Sequence, residues 1–99
     1  MGYLLENSVC LELLRCGYLV YQGTMKDKEV DFVAIKEERI IYIQYSHSIE
    51  NKDTKKREYA SLLGVQDSYE KWVVTLDELQ HPVVEGIKHI QAWNLAASL

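Results

Sequence analysis

The run Ile40-Ile41-Tyr42-Ile43-Gln44-Tyr45-Ser46, a capped helical pattern after it, and then Lys71-Trp72-Val73-Val74-Thr75-Leu76 decide the fold. Both outer runs are rich in β-branched and aromatic residues, as strands are. Between them, Asn51 or Asp53 can accept the free amides of a first helical turn. The helix expected from there runs to about Leu63, with Gly64 ending it. Strand, helix, strand over about 35 residues is the pattern of a right-handed crossover between parallel neighbours. Ile40–Ser46 and Lys71–Leu76 are therefore expected side by side and parallel.

Upstream, Glu37-Glu38-Arg39 reads as a short polar turn that brings Lys28–Lys36 back against Ile40–Ser46. Tyr18–Gln22 is a further strand ended by Gly23, so the three form an antiparallel meander. Residues 3–16 hold no helix breaker and stop at Gly17, which predicts an opening helix. Downstream, Asp77–Glu85 is a loop, Ile87–Ile90 a short strand and Ala92–Ala97 a terminal helical turn. The order is α-β-β-β-α-β-β, an α/β domain with a mixed sheet flanked by helices.

Ninety-nine residues, 47% hydrophobic and 26% charged, suit one globular domain and exclude two. No apolar run approaches the ~20 residues a membrane-spanning helix needs, and no basic-then-apolar leader opens the chain. A cytoplasmic protein with no membrane partner is the expectation. Cys10 and Cys16 lie on one predicted helix, about 9 Å apart along its axis and about 120° apart around it, so they cannot bridge. They read as small core residues of a reducing compartment. A net charge of −4 argues against a free-standing tight binder of DNA or anionic membrane. Lys52, Lys55, Lys56 and Arg57 nevertheless cluster, either as a solvated helix face or as candidate phosphate contacts.

Polar residues interrupt apolar surroundings at three places. At about 100° per residue, Ser8, Glu12 and Arg15 form the solvent side of the first helix, while Glu6 falls between Leu13 and Cys10. A carboxylate there is costly unless paired, bonded or bound to a cation, although it can instead cap a frayed helix start. Asp31 sits in a strand apolar on both faces, with Val30, Phe32 and Ala34 on one side and Asp31, Val33 and Ile35 on the other. Gln44 and Ser46, two apart, point the same way at a strand end. Glu6, Asp31 and the Gln44–Ser46 pair are expected to converge on one cleft, with the two carboxylates close enough to share a cation or a hydrogen-bond network.

A helix glutamate, then Asp, then Glu-x-Lys on adjacent strands is the layout of the PD-(D/E)XK nuclease superfamily, which this chain resembles. In that layout the carboxylates hold Mg²⁺ and the lysine positions or activates the attacking water. The chain is more closely similar to the nuclease-like C-terminal domain of a family of bacterial and archaeal AAA+ ATPases. The residues carrying the likeness are Glu6-Asn7-Ser8-Val9 with Glu12-Leu13, Cys16-Gly17-Tyr18, Val20-Tyr21-Gln22-Gly23, Glu29–Val33 and Tyr42-Ile43-Gln44. Arg57-Glu58-Tyr59, Val73–Asp77 and Gly86–Ile90 also look like family features. The resemblance implies a restriction-endonuclease-like mixed sheet and an upstream ATPase domain as partner. No Gly-x-x-x-x-Gly-Lys-Ser/Thr run occurs here, so ATP binding is not assigned, and an excised domain or gene remnant is expected.

Carried over by residue, the nuclease motif is half present. Glu6 and Asp31 match the acidic positions, Gln44 stands where the motif has glutamate, and Ser46 where it has lysine. Glu6 and Asp31 are the candidate metal ligands; no cofactor is expected unless the site is active, in which case Mg²⁺ is. Lys52, Lys55 or Lys56 are candidates for a displaced lysine. The expectation is a degenerate, non-catalytic domain that docks nucleic acid or a protein partner. The alternatives are an active Mg²⁺-dependent nuclease and a homodimeric interaction module joined at a sheet edge. His47, His81 and His89 lack zinc spacing, and Trp72, Trp93 and the tyrosines read as core and sheet-face residues.

Overall fold

The computed structural model describes residues 2–25, 28–65 and 67–99; for residues 2–4, 23–25 and 28–29 it describes the backbone alone. The side chain of Glu29, one of the resemblance residues, thus lies outside the described residues. Helix α1 (Gly2–Arg15) is followed by strands β1 (Leu19–Met25), β2 (Lys28–Lys36) and β3 (Arg39–Tyr45). Helix α2 (Lys52–Leu63), strands β4 (Glu70–Thr75) and β5 (Ile87–Gln91), a 3₁₀ turn (Ala92–Asn94) and helix α3 (Leu95–Ser98) complete the chain. None of the described helices is long and apolar enough to cross a membrane.

The ends of the helices follow from their sequence. Gly17 takes φ 88°, and Gly17 N and Tyr18 N bond the carbonyls of Leu14 and Leu13, both at 3.0 Å. That is a Schellman end, and it needs a residue free to enter the left-handed region. Asn51 caps α2, its side chain accepting from Asp53 N at 2.9 Å and Thr54 N at 3.1 Å. Asn51 rather than Asp53 is therefore the cap.

The five strands lie in sequence order, β1-β2-β3-β4-β5. β1, β2 and β3 are antiparallel, whereas β4 runs parallel to β3 and β5 parallel to β4. The expected parallel pair is thus present, with α2 between its strands. β1 outruns its expected end: Gly23 pairs with Val30, and pairing continues to Met25 opposite Lys28.

Each sheet face has its own core. Leu5, Val9 and Leu13 of α1, one stripe at four-residue spacing, pack with Phe32, Ala34, Ile41, Ile43, Trp72, Val74 and Leu95. Tyr59 and Leu62 of α2 pack on the other face with Val30, Tyr42, Ile49, Val73 and Ile87. A fully buried Leu, Ile or Phe side chain contributes about 1.5–3 kcal/mol, so these two layers hold the sheet between the helices. Cys10 and Cys16 are half-buried, free, and packed against the α1 core. Trp72 is buried as expected, but Trp93 is 58% exposed.

Simple alternation along β2 fails at one point. Val30, expected beside Phe32 and Ala34, belongs to the α2 core while they belong to the α1 core. The cause is a bulge: Tyr21 pairs with Val33 and Gly23 with Val30, so Asp31 and Phe32 together oppose the single residue Gln22. One extra residue switches the faces of everything beyond it.

Arg39 opens β3 rather than closing the turn before it. Its guanidinium grips Glu70 of β4 through two bonds, 2.6 and 3.0 Å, and also reaches Tyr18 Oη at 3.0 Å and the Leu99 carbonyl at 2.7 Å. The planar fork joins β3, β4 and the last helix in one contact set.

Candidate functional site

The bulge delivers Asp31 to the end of the β2–β3 pair. Its carboxylate accepts Tyr45 N at 3.0 Å, and its own amide donates to Gln44 Oε1 at 2.6 Å. Asp31 and β3 are therefore joined here by side chains where ladder bonds would otherwise run. Bulges recur beside functional sites because they re-aim a side chain in this way.

Gln44 is buried, 5% exposed, and uses both ends of its amide. The carbonyl takes the Asp31 amide; Nε2 points to Glu58 Oε2 on α2 at 3.4 Å. Burial raises the Glu58 pKa, the Asp31 carboxylate raises it further, and Arg57, 3.9 Å away, draws it back in part. On the α1 side, Glu6 is half-buried and accepts from Gln22 Nε2 at 2.8 Å. Tyr45 lies between the acidic groups. Burial, a hydrogen bond with Glu6 and the nearby charges of Asp31 and Glu58 push its phenol up to about 12.

A chain of contacts thus runs from Gln44 to the Asp31 amide, from the Asp31 carboxylate to Tyr45 N, and from the Tyr45 phenol to Glu6. Ser46 does not join it: its hydroxyl turns back onto its own loop and donates to the Ser48 carbonyl at 3.0 Å. Nor does the basic run present one face. Lys52, Lys56 and Arg57 are exposed, while Lys55 Nζ lies 5.4 Å over the Tyr59 ring. Glu58 was not foreseen as a site residue, although it stands four residues before buried Leu62, on the inner face of α2. Gln22 and Tyr45 were missed as well; the β1–β2 bulge sets Gln22 opposite Asp31, and the β2–β3 pairing brings Tyr45 N to its carboxylate.

The donor set does not fit a divalent metal well. Mg²⁺ prefers octahedral oxygen ligands with charge among them, and Gln44 is neutral, its carbonyl already bonded to a backbone amide. Among the described residues, no group of three or more His, Cys, Asp or Glu side chains is arranged to hold a metal ion. As it stands, the cluster is a hydrogen-bond network joining α1, β1, β2, β3 and α2.

The chain is similar to an uncharacterised protein of Haemophilus influenzae, 37% identical over 86 residues. The match covers 87% of this chain and 21% of that protein, so the chain spans about a fifth of the relative's length. No family model matches the chain, and no solved structure matches it.

Proposed function

We propose that this chain is a restriction-endonuclease-like domain whose active site has lost its chemistry, serving as a docking module for nucleic acid or a protein partner in a larger assembly of AAA+ ATPase type. One observation carries the reading. Gln44, at the position of the motif glutamate, spends both ends of its amide on Asp31 N and Glu58. The Ser46 hydroxyl, at the lysine position, is committed to Ser48. A helix glutamate, a bulge aspartate and the antiparallel-then-parallel sheet favour the nuclease-like scaffold; the amide bridge favours loss of cleavage. That the matched segment is a fifth of the Haemophilus influenzae relative favours a module of something longer.

The test is titration with Mn²⁺, read by paramagnetic broadening of amide signals. The expected result is no selective broadening at Asp31 or Tyr45 up to millimolar metal. Selective broadening there at micromolar metal would favour the active Mg²⁺-dependent nuclease instead. Docking is read separately from amide shifts on α2 when a short DNA duplex or RNA strand is added.

Self-association is a second reading with its own observation. β1 is an edge strand, and its Leu19 and Tyr21 are 61% and 54% exposed. An apolar, unpaired edge invites a second copy. Sedimentation should then show a dimer that Tyr21→Lys dissociates.

A further inference from the structure

Residues 76–86 form a strap between β4 and β5. It is held at its start by Gln91 Nε2, which donates to the carbonyls of Asp77 and Glu78 at 3.3 and 2.6 Å, and further along by one buried histidine of β5. His89 is 3% exposed. Its Nδ1 accepts the His81 backbone amide at 3.0 Å, and Gln80 Nε2 lies 3.2 Å from the same nitrogen. A ring nitrogen that accepts an amide hydrogen carries none, so the proton of the neutral ring sits on Nε2. Nε2 lies 2.7 Å from Thr75 Oγ1, which accepts its proton and donates its own to Asp77 Oδ2 at 2.9 Å. Buried Asp77 also accepts Ile49 N at 2.9 Å and the Ser48 hydroxyl, and Leu76 N bonds the His47 carbonyl at 3.1 Å. One neutral imidazole therefore holds the strap directly and, through Thr75 and Asp77, the loop that leads from β3 to α2.

We propose that His89 is a pH latch: uptake of a second ring proton, on Nδ1, releases the strap from the ring. The Nε2–H bond to Thr75 and the Asp77 contacts beyond it are kept. The imidazolium has N–H on both nitrogens. Nδ1–H would then face the His81 N–H, leaving that amide without its acceptor, while Gln80 Nε2 keeps the His89 carbonyl. The groups around the ring are Asp77 and His81 on the strap, Lys55 on α2, and the neutral Thr75 and Gln80. Asp77 alone among the charged ones favours the cation. Burial first, and then His81 and Lys55, hold the His89 pKa below the ordinary histidine value. With the folded value lowered, the stability supplied by neutral His89 is complete above the unfolded pKa and is lost as pH falls through the folded one. The latch operates whether or not the Asp31 cluster binds anything.

The experiment is amide hydrogen exchange of residues 77–86 against pH, corrected for the intrinsic rate, beside an NMR titration of the His89 ring. As pH falls from the ordinary histidine range towards the folded His89 pKa, strap protection should fall by up to about tenfold per pH unit, the slope for one proton taken up on opening. It should level off once the ring titrates, while Ile43 keeps its protection. His89→Gln offers an acceptor to the His81 amide without titrating, and should abolish the pH dependence. Protection that stays level from the ordinary histidine range down to the ring titration would overturn the latch, as would an equal fall in His89→Gln. If that variant does not fold, the natural chain decides alone by whether the fall in strap protection ends where the ring titrates. Loss of the pH dependence in His81→Asn, with His89 still titrating, would also overturn it.

Discussion

The side-chain carbonyl of Gln44 accepts the backbone amide of Asp31 at 2.6 Å, and the other end of the same amide group reaches Glu58 at 3.4 Å. A glutamine can both accept and donate; an ionised glutamate can only accept. Gln44→Glu keeps the bond to Asp31 N but turns a second carboxylate oxygen towards Glu58. The expected loss is about 2–3 kcal/mol at neutral pH, the scale of an unpaired buried charge, measured by urea denaturation. Millimolar Mg²⁺ should recover part of this loss and leave the natural chain unchanged.

Glu58→Gln should stabilise the fold. The Glu58 pKa is raised by burial and by Asp31, so the ionised form costs stability. A raised carboxylate contributes stability below the unfolded pKa and forfeits it as pH rises through the folded pKa. The gain in the variant should be on the order of 1 kcal/mol at pH 7, or about 4–8 °C in Tm for a domain of this size, and should vanish once Glu58 is protonated. Thermal unfolding at pH 7 and in mild acid checks both parts.

Asp77→Ala is expected to be far more damaging. Burial works to raise the Asp77 pKa, but the Ile49 amide, the Ser48 and Thr75 hydroxyls and His81 bring it below the usual value. Removing the carboxylate strands those donors, at about 3 kcal/mol. For a lowered carboxylate the stability is present above the unfolded pKa and lost as pH falls through the folded one. The gap between natural chain and variant should therefore close in strong acid, as acid titrations of both in urea would show.

Glu37 opens the two-residue turn between β2 and β3 with φ 56°, a region that costs side-chain-bearing residues. Glu37→Gly should add about 1 kcal/mol, read as a higher urea midpoint at unchanged slope. A loss of stability would mean that the turn has no strain to relieve.

The strand–helix–strand unit was legible because its two periodicities and its Asn51 cap are local. The meander was legible from β-branched runs around Glu37-Glu38. The exchange of faces at Val30 was not, because a bulge depends on the partner strand: nothing within Glu29–Val33 says that Gln22 will oppose two residues. Glu6, Asp31 and Gln44 stood out as polar residues in apolar settings. Ser46 misled because parity assumes that the strand continues, whereas β3 ends at Tyr45. The buried Asp77–Thr75–His89 chain escaped notice since its members come from a strand, a loop and another strand, and only the parallel β4–β5 register brings them together.

The most direct test is metal-dependent cleavage of single- and double-stranded DNA and RNA by the natural chain, Asp31→Ala, and Gln44→Glu/Ser46→Lys. Losing a positioned acid–base or electrostatic group costs roughly 10²–10⁴-fold in rate. On the proposed reading, the site has Gln44 and Ser46 where an active nuclease would have a carboxylate and a lysine. The natural chain and Asp31→Ala should therefore be alike at background with Mg²⁺ or Mn²⁺. Robust cleavage by the natural chain that Asp31→Ala abolishes would contradict a site that has lost its chemistry.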